Sequence, residues 1–280
     1  MSVLHILFTR LRTEEKLLRE AAGRLGIPCE FQNVSDTVFG DEPFCSTDDV
    51  VLARCVSHNQ NEGIAQMLEM QGITVVNSYH VMTTCGNKLT TSAVLAKAGV
   101  PQPRFCVAFS VDGALKAVED FGYPVVCKPV TGSWGRLLAK IDDREAAEAI
   151  FEHKASLGAM HLTFYIQEYV DKGPFDVRAF VVNGEPLCAI SRTSAHWITN
   201  TARGGTAAKC DLDDEALNIL RKVQAVIGGE FLAVDLFKQN GRWVVNEVND
   251  GGEFRNSIAP TGKDIPGEIV KAAWSKRKGK

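Results

Sequence analysis

The stretch from Asp235 to Ser257, DLFKQNGRWVVNEVNDGGEFRNS, decides how the chain is read, because it gathers acid and amide side chains on a hairpin pattern. Two apolar, β-prone runs, FLAVDLF and RWVVNEVN, flank Gln239-Asn240-Gly241, and an Asn-Gly pair between such runs is a strong short-hairpin signal. Side chains two apart on a strand point to one face, so Glu247 and Asn249 share a face and the hairpin can bring Asp235 beside them. Two carboxylates and an amide oxygen form a hard-oxygen set of the kind that holds Mg²⁺ and leaves positions for water and phosphate. The competing reading is a hairpin whose polar face simply meets solvent. The choice turns on whether a nucleotide site exists elsewhere in the chain.

At 280 residues and balanced composition, the chain can bury a large core as one multi-part unit or two domains. The net charge of −3 argues against a broad nucleic-acid footprint, and the basic tail Lys276 to Lys280 reads as a solvated end. The 8 cysteines form no C-x-x-C pair, which speaks against a zinc site or a short disulfide framework. Several, such as Cys127 in YPVVCKPV, lie in apolar runs as buried thiols, and a reducing, cytoplasmic setting is expected. No stretch approaches the length of a membrane-spanning helix and the chain begins on a strand pattern, so neither membrane insertion nor secretion is expected.

Along the chain, VLHILF (3–8) reads as a buried strand, 13–25 as a helix capped by Thr13 and stopped by Gly26, and PCEFQNV as a second strand. VVLARCVS, the helical NEGIAQMLEMQG and ITVVNS continue the alternation, which predicts a small parallel α/β domain ending near residue 85. It carries no G-x-G-x-x-G fingerprint, so a nicotinamide or flavin site is disfavoured. Arg54, Ser57 and Asn59, just past a strand end, could contact a ligand at the carboxyl edge of this sheet, with loop solvation as the alternative.

Lys88 falls in the first turn of the helix NKLTTSAVLAKAG. A helix amino terminus favours anions, so a lysine there opposes the dipole unless an anion is bound, and the alternative is an ordinary surface lysine. Lys128 interrupts an otherwise apolar strand and leads into Thr131-Gly132-Ser133-Trp134-Gly135, where two glycines would let backbone N–H groups approach phosphate oxygens. A snorkelling lysine beside a tight hairpin is the alternative. The loop is not the G-x-x-x-x-G-K-[ST] phosphate loop, so that class of nucleotidase is disfavoured. Further on, FYIQEYV runs from a strand into an irregular turn, which would expose backbone groups of Gln167, Glu168, Tyr169 and Val170 to a purine edge. Asp176 and Arg178 share a face of the next strand. Arg192 in CAISRT and Arg203 in SAHWITNTARGG add cations, and this set of arginines, lysines and oxygen ligands suits a polyanion with its metal.

The runs KPVTGSWGRLLAK, FYIQEYV, SAHWITNTARGG, VNEVN, EFRNS and TGKDIPGEI, spread over most of residues 77–270, together resemble the ATP-grasp ligases. Within them the chain is most similar to the LysX-type ligases that act on an amino-group carrier protein in lysine and arginine biosynthesis, relatives of the RimK ribosomal-protein glutamate ligases. The resemblance implies an α/β (α+β) ATP-grasp architecture. Its parts would be an N-terminal Rossmann-like parallel-sheet domain at 1–86, a central lid domain at 87–166, and a C-terminal antiparallel-sheet domain at 167–280 with the metal and amino-acid sites.

Residue by residue, the resemblance implies that Lys88 and Lys128 hold the phosphates of ATP while Ser133, Trp134 and Gly135 close over them. Gln167, Glu168, Tyr169 and Val170 would frame the adenine, and Asp176 would lie near the ribose or the metal shell. Arg178 and Arg203, with Asn200 in support, would stabilise phosphoryl oxygens, and Asp235, Glu247 and Asn249 would carry Mg²⁺. Arg192 and Arg255 suit the carboxylates of an incoming amino acid, Glu253 its ammonium, and Asn256 and Ser257 further hydrogen bonds. His196 is a candidate for contact with the carrier, against a packed or surface histidine.

The implied chemistry phosphorylates the terminal glutamate of a small acidic carrier protein, LysW-like, and passes the acyl group to the amine of α-aminoadipate or glutamate. The choice of amino acid stays open. A RimK-like glutamate ligase acting on another protein tail is the near alternative, and a catalytically inactive ATP-binding regulator is one of a different class. The complete lysine pair and metal trio count against the regulator. A homo-oligomer, dimer or tetramer, is expected from the resemblance alone, with no nucleic acid and no membrane among the partners.

Overall fold

A computed structural model describes residues 2–132, 137–194, 196, 197, 199 and 206–278. In its first part, the strands β1 (Leu4–Phe8), β2 (Cys29–Asn33), β3 (Val50–Ala53) and β4 (Thr74–Val76) form a parallel sheet in the order β2-β1-β3-β4. Helices α1 (Thr13–Arg24), α2 (His58–Met70) and α3 (Tyr79–Gly86) alternate with them. The cap of α1 is Arg12 and not the expected Thr13. The Glu15 carboxylate reaches back to the Arg12 backbone N–H at 2.9 Å and to its Nε at 3.0 Å, which satisfies the helix start one residue earlier.

Helix α4 (Lys88–Lys97) is capped by Asn87, whose side chain accepts from the Thr90 N–H at 3.2 Å. The second sheet is antiparallel. Its strands β5 (Phe105–Ala108), β6 (Val125–Lys128), β7 (Ala139–Ile141) and β8 (Phe164–Glu168) run in the order β5-β8-β6-β7. Helices α5 (Val111–Phe121) and α6 (Arg144–Ser156) pack on it through Ala114, Val118 and Phe151 against Phe164 and Ile166. The Lys88 N–H donates to the Val130 carbonyl at 2.9 Å, which ties the start of α4 to the loop after β6.

The third sheet, also antiparallel, has the order β11-β10-β9-β12-β13, built from β9 (Phe175–Val182), β10 (Glu185–Thr193), β11 (Thr206–Lys209), β12 (Phe231–Gln239) and β13 (Arg242–Asn249). On one face Val177, Ala179, Val181, Leu232, Val234 and Leu236 pack against α7 (Asp214–Ile227) and Leu95 of α4. The other face is divided. Phe180, Val182, Phe231 and Ala233 meet Leu4, Ile6 and Leu52 of the first sheet together with α9 (Ile265–Trp274). The same alternation carried along these strands sets Asp176, Arg178 and Asp235 on that face, where they line a cavity between the sheets.

The β12–β13 hairpin turns through Asn240 and Gly241 at φ +51° and +80°, the paired positive values of a type I′ turn. Its ladder pairs Asp235 with Glu247 and then slips, so that Leu236 pairs with Val245 and Asn246 is the extra residue of a β-bulge. Among the described residues no helix is long and apolar enough to cross a membrane.

Buried Asn77, which follows β4, joins the first sheet to the third. Its Nδ2 donates to the carbonyls of Phe231 at 2.6 Å and Asp250 at 2.7 Å, and its Oδ1 accepts from the N–H groups of Glu230 at 2.8 Å and Phe231 at 3.3 Å. Removing it leaves several buried backbone groups without a partner. Asn77→Ala should therefore lower the unfolding free energy by about 3 kcal/mol, read from the midpoint of a urea titration at unchanged slope.

Candidate active site

Period-2 alternation on β13 would turn Asn246 toward the helices, on the side opposite Glu247. The bulge changes this: Trp243, Val245 and Val248 stay in the core beneath α7, while Asn246, Glu247 and Asn249 all line the cavity. Asn246 Oδ1 accepts from Lys128 Nζ at 3.0 Å. Glu247 Oε1 lies 3.0 Å from Lys88 Nζ, which also donates to the Gly132 carbonyl at 2.8 Å. The two lysines singled out in the sequence thus converge on adjacent residues of the hairpin. Asn246 itself was not singled out, because a bulge leaves no period-2 trace.

Beside them lies a chain of alternating charges. Arg178 grips Asp235 with two bonds, Nε to Oδ1 at 2.7 Å and Nη2 to Oδ2 at 2.8 Å. Arg192 bridges from Asp235 Oδ2 at 3.2 Å to Asp176 Oδ1 at 2.7 Å. Asp176 also accepts a short bond from the Thr199 hydroxyl, which takes one from Lys172 Nζ at 3.0 Å. Burial alone would raise the Asp235 carboxyl, but the guanidiniums of Arg178 and Arg192 outweigh it and hold the group below the usual carboxylate range. Desolvation lowers Arg192, yet Asp235 and Asp176 more than restore it and it stays charged. Lys172 and Thr199 had no signal in the sequence, because they are 27 residues apart in no motif and meet only in the fold.

The four expected hinge residues, Gln167 to Val170, all border the cavity. The Glu168 N–H donates to the Arg104 carbonyl at 3.0 Å and the Tyr169 N–H to the Pro124 carbonyl at 3.4 Å, so these two donors are committed inside the protein. The Glu168 carboxylate accepts from the Arg104 N–H at 2.7 Å and from Gln239 Nε2 at 3.0 Å. Trp197, also on the wall, meets the Tyr169 ring edge-on at 6.3 Å and stacks on the exposed His196 at 5.9 Å.

Glu253 lines the cavity, whereas Arg255, Asn256 and Ser257 begin α8 (Arg255–Thr261) outside its wall. Arg255 Nε lies 3.8 Å from the buried Glu14, Asn256 is exposed, and Ser257 is buried within its own helical turn. Ser133, Trp134, Gly135, Asn200 and Arg203 lie outside the described residues. The cavity reaches further into the first domain than those candidates suggest, with Arg12, Arg54, His58 and Asn61 on its wall.

A separate group, His5, Cys45 and Asp49, could hold a metal ion by distance. Burial and the nearby carboxylates of Asp49 and Glu30 push the Cys45 thiol up to about 12, and Asp49 accepts from the N–H groups of Val3 at 2.7 Å and Ser46 at 3.0 Å. It reads as a network that pins the loop before β3.

The family model of the RimK-like ATP-grasp domain matches residues 85–273, and that of the LysX preATP-grasp domain matches residues 4–84. The chain belongs to the RimK-like ATP-grasp family. It is similar to the alpha-aminoadipate–LysW ligase LysX of Saccharolobus solfataricus, at 33% identity over 95% of this chain and 99% of that protein. It is as similar to the glutamate–LysW ligase ArgX of Sulfolobus acidocaldarius, at 33% identity over 93% of this chain and 94% of that one. In fold it matches a RimK-domain ATP-grasp protein of Sphaerobacter thermophilus with a TM-score of 0.80 at 23% identity, covering 97% of this chain and 99% of the other. The chain is an ATP-dependent ligase, and ligases of this family use ATP with Mg²⁺.

The donors fit that cation. They are oxygens throughout, and Asn249 engages its Nδ2 with the Ala233 carbonyl at 3.5 Å, which leaves the amide oxygen as the atom suited to a metal. A carboxylate offers about four lone-pair sites, and the two arginines occupy three of those on Asp235. Glu247, with a side chain 28% exposed against 6% for Asp235, is the less committed of the two carboxylates.

Lys128 carries a pH prediction. Burial pushes its ammonium down to about 8, with Glu247 and Asp235 pulling it back up and Lys88 opposing them. Below that pH it is charged and would attract a phosphate placed beside it, and above it the neutral amine would not. A bound anion favours the charged form, so Mg·ADP binding at pH 9 should take up a proton and weaken by up to about tenfold per pH unit. Calorimetry in two buffers of different protonation enthalpy reads the uptake, and identical heats at pH 9 would remove Lys128 from the phosphate site.

Proposed function

We propose that the protein joins α-aminoadipate to the C-terminal glutamate of a small acidic LysW-like carrier protein at the expense of ATP. The observation that carries this reading is that Lys128, Asp235, Glu247 and Asn249 line one cavity bounded by all three sheets, with Lys88 paired to Glu247 at 3.0 Å. Relatives of nearly the chain's own length named for this reaction support it. The glutamate-using counterparts match equally well, so glutamate is the second amino acid to test. The units are taken as 1–86, 87–166 and 167–280, and the setting as cytoplasmic with a homo-oligomeric assembly.

In this reading a carboxylate oxygen of the carrier attacks the γ-phosphorus of ATP, ADP leaves, and the acylphosphate forms. The amine of the amino acid then attacks the acyl carbon, phosphate departs with the bonding pair, and the amine loses its proton to solvent. Both steps bring anions together, and positioning with fixed positive charge is what the protein must supply. Lys88 and Lys128 hold the phosphates, Gln167 to Val170 the adenine, and Ser133, Trp134 and Gly135 the closing loop. Arg178, with Arg203 and Asn200, steadies the transferred phosphoryl oxygens, and Asp176 lies by the ribose or metal shell. Mg²⁺ held by Asp235, Glu247 and Asn249 would neutralise charge on the phosphates. Arg192 and Glu253 serve the amino acid, Arg255, Asn256 and Ser257 support it from α8 behind the wall, and His196 faces the carrier.

The test is the intact mass of the carrier after incubation with enzyme, Mg·ATP and each amino acid in turn. The expected result is a mass gain of one α-aminoadipate less one water, and no gain with either amino acid would overturn the reading. Glu247→Ala should abolish ligation at an unchanged circular-dichroism spectrum, because it removes the less committed metal ligand from a polar face. Turnover retained with normal Mg²⁺ dependence would show the metal set to be misassigned.

A further inference from the structure

Arg54 directly follows β3, and its N–H donates to the Leu7 carbonyl of β1 at 2.8 Å. It therefore stands at the carboxyl edge of the parallel sheet, where open α/β sheets take their ligands. It is 4% exposed and forms part of the cavity wall. A guanidinium has five donors and no acceptor, so one withdrawn from water needs several partners. Arg54 has few. Nη1 donates to the Gly251 carbonyl at 3.0 Å, while Nε and Nη2 are shut off from water without a hydrogen-bond partner.

The nearest acid, Glu15, approaches Nε only to 3.5 Å, since its oxygens already accept from Arg12 Nη2 at 2.8 Å and Nε at 3.0 Å. Nε and Nη2 form the side-on edge of a guanidinium, the edge that grips a carboxylate with two parallel bonds. The same edge of Arg178 holds Asp235 in this way. Among the described residues no carboxylate of the chain completes that fork at Arg54. Arg12, whose Nη2 lies 3.4 Å from the Arg54 carbonyl, brings a second guanidinium to the same wall. Other carboxylates stand nearby, Glu253 at 4.0 Å from Arg12 Nη1 and Glu14 and Asp250 within electrostatic reach of Arg54, but none of them hydrogen-bonds the Nε and Nη2 edge of Arg54.

We infer that Arg54, flanked by Arg12, anchors a non-reacting carboxylate of the substrate. Binding completes the Nε and Nη2 fork and draws Glu15 wholly onto Arg12. The inference rests on the ligase reading, in which this chemistry has two sources: the free amino acid and the terminal carboxylate of the carrier tail.

The experiment is calorimetric titration of Mg·ADP-loaded wild type and R54K with glutamate, α-aminoadipate, glutarate and a peptide ending in glutamate. The peptide is used with its terminal carboxylate free and amidated. At least one carboxylate should bind the wild type, and R54K, which keeps the charge but loses the fork, should weaken it about 30-fold. Mg·ADP affinity and melting temperature should be preserved. Loss with the free amino acids assigns the anchor to the amine donor, and loss matched by amidation assigns it to the carrier tail. Equal affinities in wild type and R54K, a parallel loss of ADP affinity, or no probe bound by the wild type would each overturn the inference. If the wild type binds through Arg54 yet adds no mass to the carrier, the carrier reading falls and the anchor stands.

Discussion

The buried grip of Arg178 and Arg192 on Asp235 is the interaction on which the rest of the site depends. A carboxylate withdrawn from water is costly unless it is paired and hydrogen-bonded, and one guanidinium on each side meets that requirement. The partners come from neighbouring strands in register, Asp235 opposite Arg178 and Arg192 opposite Asp176, so the charge chain and the strand ladder position one another. Its consequence for chemistry is a division of labour. Asp235 is held in one orientation and kept ionised, while Glu247, paired only through Lys88 among the bonds described, has room to exchange partners when charged ligands arrive.

Where that charge chain sits follows from how one sheet face is shared. The strands β9 and β12 present a single face that is apolar at Phe180, Val182, Phe231 and Ala233 and charged at Asp176, Arg178 and Asp235. The apolar half is covered by the first sheet and α9, and the charged half begins where that cover stops. Gly252 lets the loop after β13 close over this boundary, because a Cβ there would fall 2.4 Å from the Ala233 Cβ. That loop then presents the Gly251 carbonyl to Arg54 and the Asp250 carbonyl to Asn77. The first domain is thereby part of the site wall, joined to it by hydrogen bonds as well as by a common core.

The bulge at Asn246 performs a similar service for the lysines. Without it, alternate residues of β13 would offer Glu247 and Asn249 only, and Lys128, on a strand of another sheet, would reach the hairpin without a neutral acceptor. With it, two consecutive polar residues face the cavity, one meeting Lys128 and the other Lys88. Lys128 is held in a buried place with its ammonium lowered by desolvation, while its nearest contact is an amide and not a carboxylate. A lysine so placed responds strongly to an approaching anion.

What the sequence determined by itself is what depends on local pattern. The Asn-Gly turn and its flanking β-prone runs specified the hairpin and the shared face of Glu247 and Asn249. Motif order from Lys88 to Asn249 was enough to point to the ligase family. Tertiary structure alone decided the rest. The slip that turns Asn246 inward, the coupling of Lys172 to Thr199, and the placing of Arg54 against Gly251 join residues from different strands, loops or domains. Each depends on packing across distances over which a one-dimensional pattern carries no phase, because period-2 reasoning counts residues along one strand and does not register where a partner strand slips or where a second domain arrives.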